Sequence, residues 1–230
     1  MQRVDRIHFE VKHHCIHEGV HHRKDMSGDL QSTVHNWLSE ERLSPRKQDD
    51  QRAEFHYLVR YPPGNNGHAF NIVQPKGRDL VAVSSMTRVD EGQQEEMSSH
   101  SSSDISGWQD WMHEIRTSLI AAGVDWGIHV GGDKTMGNGP LQAFNVSEPI
   151  WLDGLNKNTL MQSLRKLWLA KLNIIHQIKH QYGPGSGKPG PVDDFKGRGG
   201  PKPPSDDPPK EVKADESGTF GAGFDPSEWV

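Results

Sequence analysis

The densest group of metal-ligating residues lies near the start of the chain. Val11 to Lys24 (VKHHCIHEGVHHRK) holds five histidines and the one cysteine of the 230-residue sequence. His13, His14, Cys15, His17, His21 and His22 exceed the four ligands that a structural zinc takes. Zinc modules bring their ligands as pairs two to four residues apart, separated by chain that the ion staples together. No second pair follows Cys15, and between Val11 and Met26 only Val11, Cys15, Ile16 and Val20 are apolar. A His-rich tract signals metal affinity by composition alone. Neither a metal site nor a cofactor is therefore assigned, and residues 1–26 are expected to be a disordered arm or chain upstream of a start at Met26.

Acids and bases recur further on as Asp125, His129, Asp133, Glu148 and Asp153. A hydrolase or metal-dependent enzyme would use His129, Asp133 and Asp153, but no spacing marks a nucleophile, a base and an orienting group. Gly-Gly-Asp-Lys-Thr at 131–135 fails as a phosphate loop, because Lys134 follows Asp133 and the chain runs on into a strand. Ser98, Ser99, Ser101, Ser102 and Ser103 lack the Gly-x-Ser-x-Gly elbow. No catalytic residue is assigned, and enzymatic activity is the less favoured reading.

Aromatic side chains are the remaining candidates, for binding rather than chemistry. Trp108 and Trp111 share one helix, and Trp111 stands some 60° off its apolar stripe at about 100° per residue. It is expected to be partly exposed and to mark a homodimer contact. Phe220, Phe224 and Trp229, beside Asp225 and Glu228, are either loose aromatics at a flexible terminus or a short docking peptide carried on a Pro-rich spacer.

The elements that would position these residues follow from periodicity. Leu30, Val34, Trp37 and Leu38 share one helical face, capped by Ser27 or Asp29 and running to about Leu43. EFHYLVRYP, in which Phe55, Tyr57, Val59 and Tyr61 alternate with polar neighbours, and the strand-like HAFNIVQP and DLVAVSSMT give three strands joined by Gly, Asn and Pro turns. The run EGQQEEMSSHSSSD has no apolar period and is expected to be a surface loop. A second helix carries Ile105, Trp108, Met112, Ile115 and Leu119 and ends at Gly123. VDWGIHV and LQAFNVSEPIW are two more strands, His129 among them. Asp153 is expected to satisfy backbone donors in the turn before the third helix, which opens at Asn156 or Asn158, carries Leu160, Leu164, Leu167, Trp168, Leu172, Ile175 and Ile178, and stops at Gly183.

From Gly183 to Val230, 48 residues include ten Gly and nine Pro. Such chain buries too little apolar surface to offset its entropy. It is expected to be a disordered spacer that adds nothing to the core. The boundaries are thus 1–26, 27–182 and 183–230.

Composition narrows the function classes. The chain is 32% hydrophobic and 25% charged with a net charge of −5, a mean hydropathy of −0.79 and a pI near 6.3. No apolar run reaches the roughly 20 residues of a membrane span, and no basic block offers a footprint for nucleic acid. One cysteine permits no internal disulfide and suits a cytoplasmic location.

The order helix, three strands, helix, two strands, helix is similar to the secretion-chaperone-like fold of type III secretion chaperones, an α+β fold with helices on an antiparallel sheet of five strands. FNVSEPIWLDGLNKNTLMQSLRKLWLAKL, Phe144 to Leu172, more closely resembles an archaeal family of uncharacterised proteins assigned to that fold. The matching feature is a strand ending at Trp151, then Asp153-Gly154-Leu155 and a helix opened by Asn156. The resemblance implies a cytoplasmic chaperone-like adaptor that binds a protein or peptide partner, as a homodimer.

Overall fold

The computed structural model describes residues 19–64, 67–132 and 139–192, with the side chains of 19–28 outside the description. The elements are α1 (Gly19–Glu40), β1 (Arg46–Lys47), β2 (Ala53–Tyr61), β3 (His68–Pro75), β4 (Leu80–Arg88), α2 (Glu91–Ser103), α3 (Ile105–Ala121), β5 (Asp125–Val130), β6 (Leu141–Trp151) and α4 (Lys157–Tyr182). All neighbouring strands are antiparallel, in the order β1-β2-β3-β4-β6-β5. Among the described residues the fold is α+β, with four helices and six strands where three and five were expected. The two-residue β1 pairs with β2 and is too short to show any alternation.

Strand alternation divides the sheet into two faces. Phe55, Tyr57, Val59, Phe70, Ile72, Val81, Val83, Phe144 and Val146 point to one side and join apolar residues of all four helices in a single cluster. Ala53, Val73, Leu80 and Ala82 form a separate, smaller cluster, to which no helix contributes. All four helices thus cover the same face of the sheet.

α1 begins upstream of Ser27 and Asp29, so neither residue is its cap. It ends at Glu40 rather than Leu43. Arg42, at φ 59°, donates its N–H to Ser39, and Leu43 donates to the Leu38 carbonyl at 3.0 Å. This is the Schellman pattern, and it folds Leu43 back into the core. The expected face of Leu30, Val34, Trp37 and Leu38 does pack inward.

The Ser- and Glu-rich run is not a loop but α2. Asp90 caps it by accepting from Gly92 N–H at 2.9 Å. Ser98, Ser99, Ser102 and Ser103 return their hydroxyls to carbonyls four residues back. Its buried side chains are Gln93, Gln94 and Met97, so it has an inward face without an apolar period. Burial is tolerable because the amides are partnered: Gln94 Nε2 donates to the carbonyls of Val89 and Pro191, both at 3.1 Å.

Those partners include the start of the expected tail. Gly183, at φ 74°, stops α4 as the sequence requires. Residues 183–192 then fold back as a strap along α2. Gly190 N–H donates to Val89, Glu91 N–H to Lys188, and Gln93 Nε2 to Gly183. Val192 is buried. Asp90 accepts from both the backbone and the hydroxyl of Ser186. Burial pushes the Asp90 carboxyl up, but these hydrogen bonds, with those from Gly92 and Lys188, outweigh it and hold the carboxyl below its usual range. Gly185 sits so close to Asp90 that a β-carbon would collide with it. Residues 193–230, including Phe220, Phe224 and Trp229, lie outside the described residues, as do 1–18.

Candidate functional site

β6 outruns its partner. Asp125↔Ser147 is the last pair with β5, while β4 continues beside β6 to Leu80↔Trp151. Glu148 to Trp151 therefore have a strand on one side only. The Leu152 N–H donates to Asp79, and the Gln142 carbonyl accepts from Val89. Backbone direction alternates in an antiparallel strand, so even-numbered residues of β6 bond toward β4 and odd-numbered ones point toward the open side. Pro149 has no donor to leave unpaired there, which suits an edge. The Trp151 carbonyl is taken by Gly154 N–H at 3.0 Å. What remains for an incoming chain is the Pro149 carbonyl and the Trp151 N–H.

A groove of about 430 Å³ separates this edge from the first turns of α4. Glu148, Pro149, Ile150 and Trp151 line one wall, and Thr159, Gln162, Ser163 and Lys166 the other. The helix is placed by a capping box in which Asn156 Oδ1 accepts from Thr159 N–H at 3.0 Å and Thr159 Oγ1 accepts from Asn156 N–H at 2.9 Å. Trp151 is 51% exposed. Lys166 Nζ bonds Glu148 Oε1 at 2.9 Å, whereas Glu148 Oε2 is buried without a hydrogen-bond partner. Burial raises the Asp125 carboxyl, the Glu148 charge raises it further, and Lys166 offsets part of the rise.

The residues expected to bind a partner are elsewhere. Trp108 is buried, and Trp111 is only 8% exposed, which corrects the expectation of a partly exposed ring. The two indoles stack with centroids 5.2 Å apart, and Tyr182 meets Trp111 edge-on at 5.0 Å. Tyr182 is held in turn by His100 of α2, Nδ1 to hydroxyl at 2.8 Å. The helix that was not anticipated is thus part of what closes over Trp111. Ile105, expected on the same stripe, is exposed directly after the Asp104 cap.

The residues of the enzyme alternative do not converge. His129 pairs with Ala143 on β6, while Asp153 follows Trp151 at the other end. Eight strand residues at about 3.3 Å each separate those positions by roughly 26 Å. Asp153 is exposed, and the turn is closed by backbone hydrogen bonds and by Asn156 and Thr159 rather than by its carboxylate. Asp133 lies outside the described residues, as do the side chains of the His-rich stretch.

A second polar group was not foreseen. Lys171 of α4 is 6% exposed and points down onto the sheet, donating to Ser85 Oγ at 2.8 Å with its nitrogen 5.6 Å from the Phe70 ring centroid. Ser85 spends its own proton on the Ala69 carbonyl at 2.6 Å. A hydroxyl has one proton, so Ser85 can only accept from Lys171. This polarity is the reverse of a serine nucleophile giving its proton to a lysine base. Burial lowers the Lys171 amine to about 7. His68 falls to about 4, chiefly by burial and secondarily through Lys171 and Lys179.

The family comparison matches residues 30–178 to the model for "Uncharacterized conserved protein (DUF2299)". The chain belongs to this DUF2299 family. A crystal structure of an uncharacterised protein from Methanothermobacter thermautotrophicus is similar to it, at 28% identity and a TM-score of 0.58. The match covers 66% of this chain and 99% of that one. None of the curated proteins matches. Both the edge of β6 and Lys171 lie inside the DUF2299 match.

Proposed function

We propose that this protein is a partner-binding adaptor, chaperone-like in kind, which takes an extended segment of another protein into the groove beside Trp151. The observation that supports it is the coincidence of an unpaired Pro149 carbonyl and Trp151 N–H with a groove running along them, beside a half-exposed indole on the Leu80 face of the same strand end. Extended peptides add to open sheet edges through main-chain bonds while pockets select side chains, and tryptophan is the residue most often dominant at such contacts. The single cysteine agrees with a cytoplasmic setting. No helix among the described residues is long and apolar enough to cross a membrane. A homodimer through Trp111 is not part of this reading, since that ring is in the core.

An array of immobilised twelve-residue peptides of random sequence, probed with the full chain, tests it. Binding to a subset, reduced at least tenfold by Trp151→Ala and by the groove-filling Ser163→Arg, is expected. Absence of binding to any peptide, or equal binding by both variants, would overturn it.

A further inference from the structure

The ladder between β3 and β4 stops early. Its pairs are Asn71↔Ser84, Ile72↔Val83 and Val73↔Ala82, yet β3 begins at His68 and β4 continues to Arg88. Past Ser84 the strands part, and the Ser85 hydroxyl reaches across to the Ala69 carbonyl where a backbone bond would otherwise stand. Polar atoms collect at this parting. Thr87 Oγ1 and His68 Nδ1 are both buried without a hydrogen-bond partner. Lys171, held above Ser85, uses one of its three donors there.

An unpaired buried polar atom costs free energy, and a buried ammonium without a counter-charge costs more. Among the described residues no carboxylate forms an ion pair with Lys171, and the charged or titratable neighbours acting on His68 are Lys171 and Lys179, both basic. The unmet donors, the hydroxyl of Thr87 and two protons of Lys171, want an acceptor bearing negative charge. We propose that the parting of β3 and β4 beneath Lys171 binds a small monovalent anion, held by Lys171 and Thr87 with His68 at its side. This site is independent of the groove at Trp151.

Thermal unfolding of the full chain tests it, with formate, acetate and chloride as probes at constant ionic strength set by bulky gluconate. At pH 6.5 a bound anion at ten times its Kd should raise Tm by roughly 3 to 5 °C. The rise should saturate, be absent in Lys171→Met, shrink in Thr87→Val, and fade at pH 9 as Lys171 loses its proton. His68 is the other group in the site that titrates, and its low value puts its change below this range. Formate acting without chloride would identify a carboxylate ligand, and chloride acting alone a halide. Equal responses from wild type and both variants, or no saturable response to any of the three anions, would overturn the proposal.

Discussion

Two openings in the sheet's ladder, at the end of β6 and between β3 and β4, have opposite surroundings. At the end of β6 the missing partner is β5, and the opening faces outward onto Trp151, Thr159 and Lys166. Where β3 leaves β4, α4 lies over the opening and drops Lys171 into it. The first leaves apolar area and strand edge to be covered by something else. The second leaves charge to be answered inside the fold. On the two proposals made above, an unpaired stretch of strand serves as a docking surface or as a buried polar site according to whether a helix covers it.

The largest expected effect belongs to the buried site. The Lys171 amine lies near 7 when folded and near 10.5 when unfolded. Between those values the unfolded chain binds a proton that the folded chain does not, so stability rises with pH across that window and is reduced below it. The change should be on the order of a few kcal/mol, and Lys171→Met should flatten the curve while leaving the fold intact. Chemical denaturation from pH 6 to 10 measures both. His68, lowered from 6.5 to about 4, adds a smaller loss as pH falls between those values.

The strap on α2 comes next, because it joins neither opening and should affect stability alone. Ending the chain after Tyr182 removes hydrogen bonds to Val89, Asp90, Glu91, Gln93 and Gln94, worth roughly 3 kcal/mol together. Tm should fall by about 6 to 12 °C, whereas ending it after Val192 should change Tm by far less. Scanning calorimetry of the two truncations decides whether the strap belongs to the domain.

Glu148→Gln should cost under about 1 kcal/mol, since its bridge to Lys166 is partly solvated. Smallest of all should be Trp151→Ala, within about 0.5 kcal/mol for an exposed side chain in the absence of a partner. A large stability loss at Trp151 would mean that the opening at β6 is closed by the fold itself, and the contrast between the two openings would fail.

The sequence showed some of this and hid the rest for physical reasons. β2 was legible because its apolar residues alternate, β3 to β6 as apolar strand-like runs bounded by Gly, Asn and Pro turns, and α4 because Asn156 and Gly183 mark its ends. α2 was hidden because its inward face is glutamine, satisfied by hydrogen bonds rather than by apolar contact. The strap was hidden because Gly and Pro predict disorder unless a particular acceptor, here Asp90, holds them. Lys171 was within reach: Leu160, Leu164, Leu167, Lys171, Ile174 and Ile178 repeat at four and three, so spacing alone put the lysine on the buried stripe. Exposure of Trp151 was not legible, because it depends on β5 ending opposite Ser147, a matter of register between distant segments.

On the proposed function, the unpaired end of β6 receives an extended segment of a partner. The most direct measurement is a ¹⁵N-resolved spectrum of the full chain during titration with a peptide selected from the array. The Trp151 backbone amide and indole, with the amides of Thr159 to Lys166, should shift together and saturate, while Lys171 and Trp111 stay in place. Saturating shifts confined to other surfaces, with Trp151 unmoved, would contradict it.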